Sequence, residues 1–235
     1  MSLSPDELAV KAPHFTAAYR LVPSRFPPVT IFDSLGDNAD EVALLQALEG
    51  QTNDRLREEL GALDNIAPGD RVYGDGTTPI MAAFTHVSPY GSRFSDGTFG
   101  VYYCADTLET AVDEVAHHRA RFLRESREAP CQIHLRCYRG TLQRDLHDGI
   151  GHGLNEGILD PASYEESQAF AQALRARNAF GLTYPSVRRP GGYCAALFRP
   201  PAISPVEQTK HYRLNFDGKR ITSVVTLSGY REIES

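Results

Sequence analysis

The chain reads as an α+β fold, with many short strands and few helices. Three observations carry this. Short β-prone segments recur, among them the aromatic run 98–104 and the runs 182–187 and 193–198. Few stretches show helical periodicity over several turns. Strands and helices do not alternate regularly, and no G-x-G-x-x-G after a strand or G-x-x-x-x-G-K-[ST] is present, so a doubly wound nucleotide fold is disfavoured.

The elements follow in order. Residues 1–14 are polar and read as a loose N-terminal arm. Phe15 to Val22 predicts a first strand, stopped at Pro23, and 27–37 a loop. Residues 41–48 place Val42, Leu44, Leu45 and Leu48 as a short helix would, and 53–60 pair Leu56 with Leu60 at i, i+4. Ala67-Pro68-Gly69-Asp70 and Gly74-Asp75-Gly76 are turn signals. Ile80 to His86 is apolar and suits a strand or a short helix. Thr107 caps a helix running to about Ser126, with Leu108, Ala111, Val112, Val115 and Phe122 as its apolar set. Residues 131–142 alternate, with Ile133, Leu135 and Cys137 on one face. Asp160 then Pro161 reads as an N-cap followed by proline at the first helical position, and Ser163 to Glu166 as a capping box. That helix ends near 178–181. The tail from Pro205 adds one or two strands, with Asp217-Gly218 as a hairpin signal. The organisation is thus an arm over 1–14, a domain over 15–206 and a β extension over 207–235.

At 235 residues the chain is long enough to bury a proper core, and 41% hydrophobic with 23% charged residues is ordinary for a globular protein. The formal net charge of −6 argues against nonspecific nucleic-acid binding, which needs a basic footprint. Cys104, Cys131, Cys137 and Cys194 form no C-x-x-C pair, which argues against a zinc or thioredoxin-like site. Residues 1–13 lack an apolar signal core, and no run of about 18 apolar residues offers a membrane span. Four reduced thiols in a cytoplasmic protein are expected.

Seven residues stand out as candidates. Arg20 follows Tyr19 near the end of the first strand, where a guanidinium fork suits a diphosphate or ribose as well as a surface carboxylate. Arg93 lies between Gly91 and Gly97, and arginine suits phosphate oxygens. Tyr103 sits near the end of its strand and offers a ring to stack on a nicotinamide; Tyr102 faces the other way in a regular strand, so only one serves. Glu114 edges the apolar stripe of its helix, four residues before His118. A carboxylate there suits cleavage of an N-glycosidic bond, which builds positive charge on the ribose. Ser186 lies in Tyr184-Pro185-Ser186-Val187-Arg188, without the G-x-S-x-G elbow of a serine hydrolase. Ser167 and Gln168 open the preceding helix and are placed to face the same cleft. His117 and His118 are adjacent on a helix and point apart, which argues against a shared metal ion.

In this order the set resembles the RES domain family, named for an arginine, a glutamate and a serine spread along the domain. The matching pieces are Tyr19-Arg20, Arg93-Phe94, Tyr103-Cys104-Ala105-Asp106, Ala111-Val112-Asp113-Glu114 and Gly181-Leu182-Thr183-Tyr184-Pro185-Ser186. The contiguous Arg124-Glu125-Ser126 is a coincidence of letters. The resemblance covers about residues 15–206 and carries the family arginine to Arg20, its tyrosine to Tyr103 and its glutamate to Glu114. Its serine goes to Ser186 or Ser167. The interval between Arg20 and Arg93 is longer than in compact members, marking an insert at about 27–79. The resemblance implies an ADP-ribosyltransferase-like core of short mixed or antiparallel strands with flanking helices. It implies NAD+ as substrate, held by Arg20, Arg93, Tyr103 and Ser186 or Ser167, with no metal. It also implies a bacterial toxin whose cognate Xre-type antitoxin occludes the site. The acceptor of ADP-ribose is open between a protein side chain and water or phosphate, the latter pair depleting NAD+.

Overall fold

A computed structural model describes residues 3–24, 31–34 and 61–229. Its strands are β1 (Val10–Lys11), β2 (Ala17–Pro23), β3 (Tyr102–Ala105), β4 (Cys131–Thr141), β5 (Leu146–Asp148), β6 (Gly181–Pro185), β7 (Tyr193–Leu197), β8 (Glu207–Phe216) and β9 (Ile221–Leu227). Its helices are α1 (Ile31–Ser34), α2 (Thr78–Thr85), α3 (Leu108–Glu125) and α4 (Glu165–Ala176). The strands make one mixed sheet in the order β1-β5-β6-β7-β3-β2-β4-β8-β9. Among the described residues only β5 and β6 run parallel; every other pairing is antiparallel. The expected α+β class holds. The helices expected at 41–48 and 53–60 lie outside the described residues.

Both faces of the sheet centre are covered. On one face Leu21, Ala105, Cys194, Ala196 and Leu182 pack with Ala111 of α3 and Phe170 and Leu174 of α4. On the other, Ala18, Tyr102, Cys104, Ala195 and Leu197 pack with Ile80, Met81 and Phe84 of α2, together with Leu63 and Ile66. The period of two in β3 and β7 therefore reads apolar on both faces, and small residues there let helices approach from either side.

Local chemistry explains the ends. Thr107 caps α3 as expected, its Oγ1 accepting from the Thr110 amide at 3.2 Å. Asp217 Oδ1 accepts from the Lys219 and Arg220 amides, and Gly218 takes φ +95°, which closes the expected β8–β9 hairpin. Ile80 to His86 resolves as helix α2, whose first turn is held by Asp33: its Oδ1 accepts from the amides of Thr77 and Thr78.

Four expectations are corrected. The N-terminal arm is docked, not loose. Val10 and Lys11 pair with β5, and Lys11 Nζ meets Asp148 at 2.6 Å. The aromatic strand is shorter than 98–104, because Gly100 passes against α2: a Cβ there would come 2.3 Å from the Ala83 oxygen and from Phe84 Cα. The capping box before α4 does not form; Asp160 closes its own turn onto the Ala162 and Ser163 amides, and α4 starts at Glu165 with no side-chain cap. Phe122, assigned to the apolar stripe of α3, stands 47% exposed.

Candidate active site

The site grows from a parting of two central strands. β2 and β3 are joined at one register only, Tyr19 with Ala105, while β2 continues along β4 through seven residue pairs. From that pair toward Val22 on β2 and Tyr102 on β3 no further register joins them, and cavities open beside Arg20 and Tyr103. The larger is about 910 Å³ and is lined by residues such as Val22, Thr78, Ala82, His86, Arg136, Tyr138 and Gln208. The smaller is about 270 Å³ and is lined by residues such as Arg93, Ala111, Glu114, His118, Tyr184 and Cys194. Arg20, Ser92 and Tyr103 line both, so the two meet there.

Arg20 sits at the fork. Its Nη1 donates to the Tyr103 carbonyl oxygen at 3.0 Å, and its guanidinium lies 4.5 Å from the ring centroid of the fully buried Tyr102. A planar, delocalised guanidinium stacks on an aromatic face and is more weakly hydrated than an ammonium, which suits it to that buried ring. Its Nε is buried with no acceptor among the described residues.

Tyr103, not Tyr102, is the tyrosine on the cavity wall. Its hydroxyl pairs with Ser92 Oγ at 2.8 Å and accepts from the Phe94 amide at 2.9 Å. Burial raises its pKa to about 12, despite the opposing effect of these partners, so the phenol stays neutral. The ring is thereby locked across the Ser92–Phe94 turn. Arg93, expected on a phosphate, is 7% exposed. Its Nη1 donates to the carbonyls of Ile158 and Asp160 at 3.1 and 2.9 Å, and its guanidinium stacks 4.8 Å from the Tyr164 centroid.

Glu114 reaches the smaller cavity from the middle of α3, its side chain 20% exposed. Its Oε1 accepts a short bond, 2.6 Å, from Ser186 Oγ. Ser186 Oγ in turn accepts from the Arg188 and Arg189 amides at 3.2 and 3.0 Å. One hydroxyl thus closes a turn and aims a carboxylate. The turn is fastened elsewhere too: Asp113 meets Arg189 at 2.8 Å, and Gly192 passes so close to α3 that a Cβ would sit 2.6 Å from Thr110 Oγ1. Glu114 Oε2 lies 3.9 Å from His118 Nε2.

Of the two serines left open by sequence, Ser186 joins Glu114. Ser167 is fully buried, lines neither cavity, and donates to the carbonyls of Arg93 and Tyr164 at 2.6 and 3.0 Å. It supports the Arg93 turn from behind. Arg20, Arg93, Tyr103 and Glu114 do line one cavity. Sequence reasoning missed Ser92, whose only signal was its neighbour Arg93. It also gave His118 no part beyond that of a helix-surface partner. Among the described residues, no three His, Cys, Asp or Glu side chains converge as metal ligands, and no helix is long and apolar enough to cross a membrane.

Fold and site together define an α+β domain with a forked central sheet, its cleft carrying arginine, tyrosine and a serine-held glutamate. The family model for the RES domain matches residues 70–217, and the chain belongs to that family. It is 30% identical over 221 residues to the uncharacterized protein y4oC of Sinorhizobium fredii, covering 92% of this chain and 88% of that one. It is also similar, at 11% identity and a TM-score of 0.46, to a chain in the crystal structure of the M. tuberculosis MbcT-MbcA toxin-antitoxin complex. That match spans 91% of this chain and 89% of the other.

Proposed function

We propose that this chain is the toxin of a bacterial type II toxin–antitoxin pair, that it cleaves NAD+ at the nicotinamide–ribose bond, and that it transfers ADP-ribose to a protein acceptor. The observation that carries the reading is the Ser186–Glu114 bond on the wall of the smaller cavity, beside Arg20 and Tyr103. As the glycosidic bond breaks, positive charge grows on the ribose; a carboxylate fixed in advance stabilises it without reorganising. Arg20 supplies a cationic donor for the diphosphate, Arg93 adds positive charge at the wall of the same cavity, and the Tyr103 ring offers a flat face for the nicotinamide. The larger cavity alone has the size of a small-molecule cleft, and the smaller adjoins it at Arg20, Ser92 and Tyr103.

The second reading uses the same site with water or phosphate as acceptor. What favours it is the positive charge that Arg93 and Arg188, bonded to carbonyls rather than to carboxylates, bring near His118, which suits an anion such as phosphate. Labelled NAD+ incubated with the protein and a cell lysate separates the two. A labelled protein band means transfer; free ADP-ribose or its phosphate means depletion; intact NAD+ refutes both.

Family membership also supports a silencing partner, an Xre-type antitoxin whose segment fills the cleft near Arg20, Arg93 and Glu114. Expression of the chain alone then stops bacterial growth, and NAD+ and antitoxin compete. Equal NAD+ affinity for the free chain and the preformed complex would refute occlusion.

A further inference from the structure

Ser186 occupies one oxygen of Glu114, and the other faces His118 across 3.9 Å. An oxygen atom placed between them reaches both at about 2.8 Å, an ordinary hydrogen-bond length. The imidazole lines the smaller cavity, yet its side chain is 50% exposed. It therefore touches the reacting region on one side and water on the other. We propose that His118 is a catalytic base: it takes the proton from the hydroxyl or water that attacks the ribose after nicotinamide departs. This rests on the NAD+-cleaving reading above and adds a residue to it.

The step balances. The C1′–N bond breaks with its electron pair going to the nicotinamide nitrogen. A lone pair of the acceptor oxygen forms the C1′–O bond. The acceptor proton moves to His118 Nε2, with the ring's other proton on Nδ1, and then leaves to solvent. The surroundings keep the ring in the form that accepts a proton. Partial burial and the positive charges of Arg188, Arg93, Arg121 and Arg119 lower its pKa below the ordinary imidazole value. Among the described residues, Glu114 on the same helix is the acidic group facing it, and His117 packs edge-on at 5.6 Å between centroids. Arg93 is held by two carbonyls, Arg188 by the Pro161 carbonyl and Arg121 by Glu125.

The test uses two nucleophiles that differ in carrying a proton. Azide needs no base; water does. The full chain and its His118→Gln and His118→Ala variants are given NAD+ in azide buffer, and ADP-ribosyl azide is measured against ADP-ribose. General bases typically contribute about 10²–10⁴-fold, and less toward a reactive oxocarbenium ion, so the product ratio shifts toward azide by about tenfold or more in both variants. An unchanged ratio, whether or not both products fall together, overturns the assignment and leaves His118 a structural neighbour of Glu114. Absence of any nicotinamide release from the unaltered chain, with either nucleophile, instead overturns the NAD+ reading beneath it.

Discussion

Replacing Glu114 with glutamine removes one charge and little else. The amide oxygen of the new side chain still accepts from Ser186 where Glu114 Oε1 does now, at 2.6 Å. That bond changes from charge-assisted to neutral, a loss of about 1 kcal/mol. No ion pair with His118 is lost, because His118 is held neutral. A change of about 1 kcal/mol moves the melting temperature of a domain this size by about 2–4 °C. The loss to catalysis is larger. Deleting one preorganised electrostatic group costs about 2.7–4 kcal/mol of transition-state stabilisation, or about 100- to 1,000-fold in turnover. Nicotinamide release followed by chromatography, beside a thermal scan, measures both quantities on the same sample. Turnover within a few-fold of the unaltered chain would remove Glu114 from the mechanism. A fall in melting temperature much beyond this range would mean the residue is structural.

Arg20→Ala weakens NAD+ binding more than it slows saturated turnover, because a diphosphate grip acts on ground and transition states alike; titration calorimetry with a nonhydrolysable analogue should read a loss of about 1.5–3 kcal/mol, and unchanged affinity would leave Arg20 only its bond to the Tyr103 carbonyl. Ser167→Ala destabilises the fold by about 1–3 kcal/mol in denaturant, since it strips a donor from two carbonyls at a fully buried site, and it leaves the Glu114–Ser186 bond untouched; a loss of turnover without a loss of stability would contradict that placement. Acid should loosen the N-terminal arm before the sheet. Burial alone raises the pKa of Asp148, but the Gly151 amide, Lys11 and His14 outweigh it and hold the carboxyl at about 2. A pKa below the unfolded value of 3.8 stabilises above that value and is lost as pH falls from about 4 toward 2. The effect is about 2 kcal/mol at most, reduced by screening because Lys11 is 46% exposed. Hydrogen exchange at Val10 and Lys11 across that range reads it, and protection independent of pH would refute it.

Where a local cause settles the structure, the sequence was legible. Thr107 before an amphipathic run, Asp217-Gly218 between two β-prone runs, and the alternation of 131–142 each have a cause within a few residues. The misreadings have distant causes. Gly100 is out of the strand because α2 crosses it, and nothing near residue 100 announces α2. The polar arm becomes a strand because β5 offers an open edge and Asp148 a buried carboxylate for Lys11. The Asp160 and Ser163 caps failed for a reason closer to hand: Asp160 found its turn amides first, a competition inherent to Asx and Ser residues.

Residues that come to line one cavity could be picked from the sequence, but not how they hold one another. Each of Arg20, Tyr103, Glu114 and Ser186 is ordinary alone, and order along the chain singled them out. Order does not say which groups hold which. A central sheet whose β2 and β3 stayed paired would close the space between the faces and leave the Tyr103 carbonyl to the ladder. Here the single Tyr19–Ala105 register lets the gap open, and the Arg20 guanidinium takes up the Tyr103 carbonyl at its edge. The same opening brings Tyr103 within reach of the Ser92 turn and lets α3 set Glu114 on the opposite wall. The two serines that sequence left open stand in different surroundings. Ser167 spends its hydroxyl in the core, whereas Ser186 lies where β6 ends and its turn bends back onto α3, a placement from which one hydroxyl both closes the turn and orients the carboxylate.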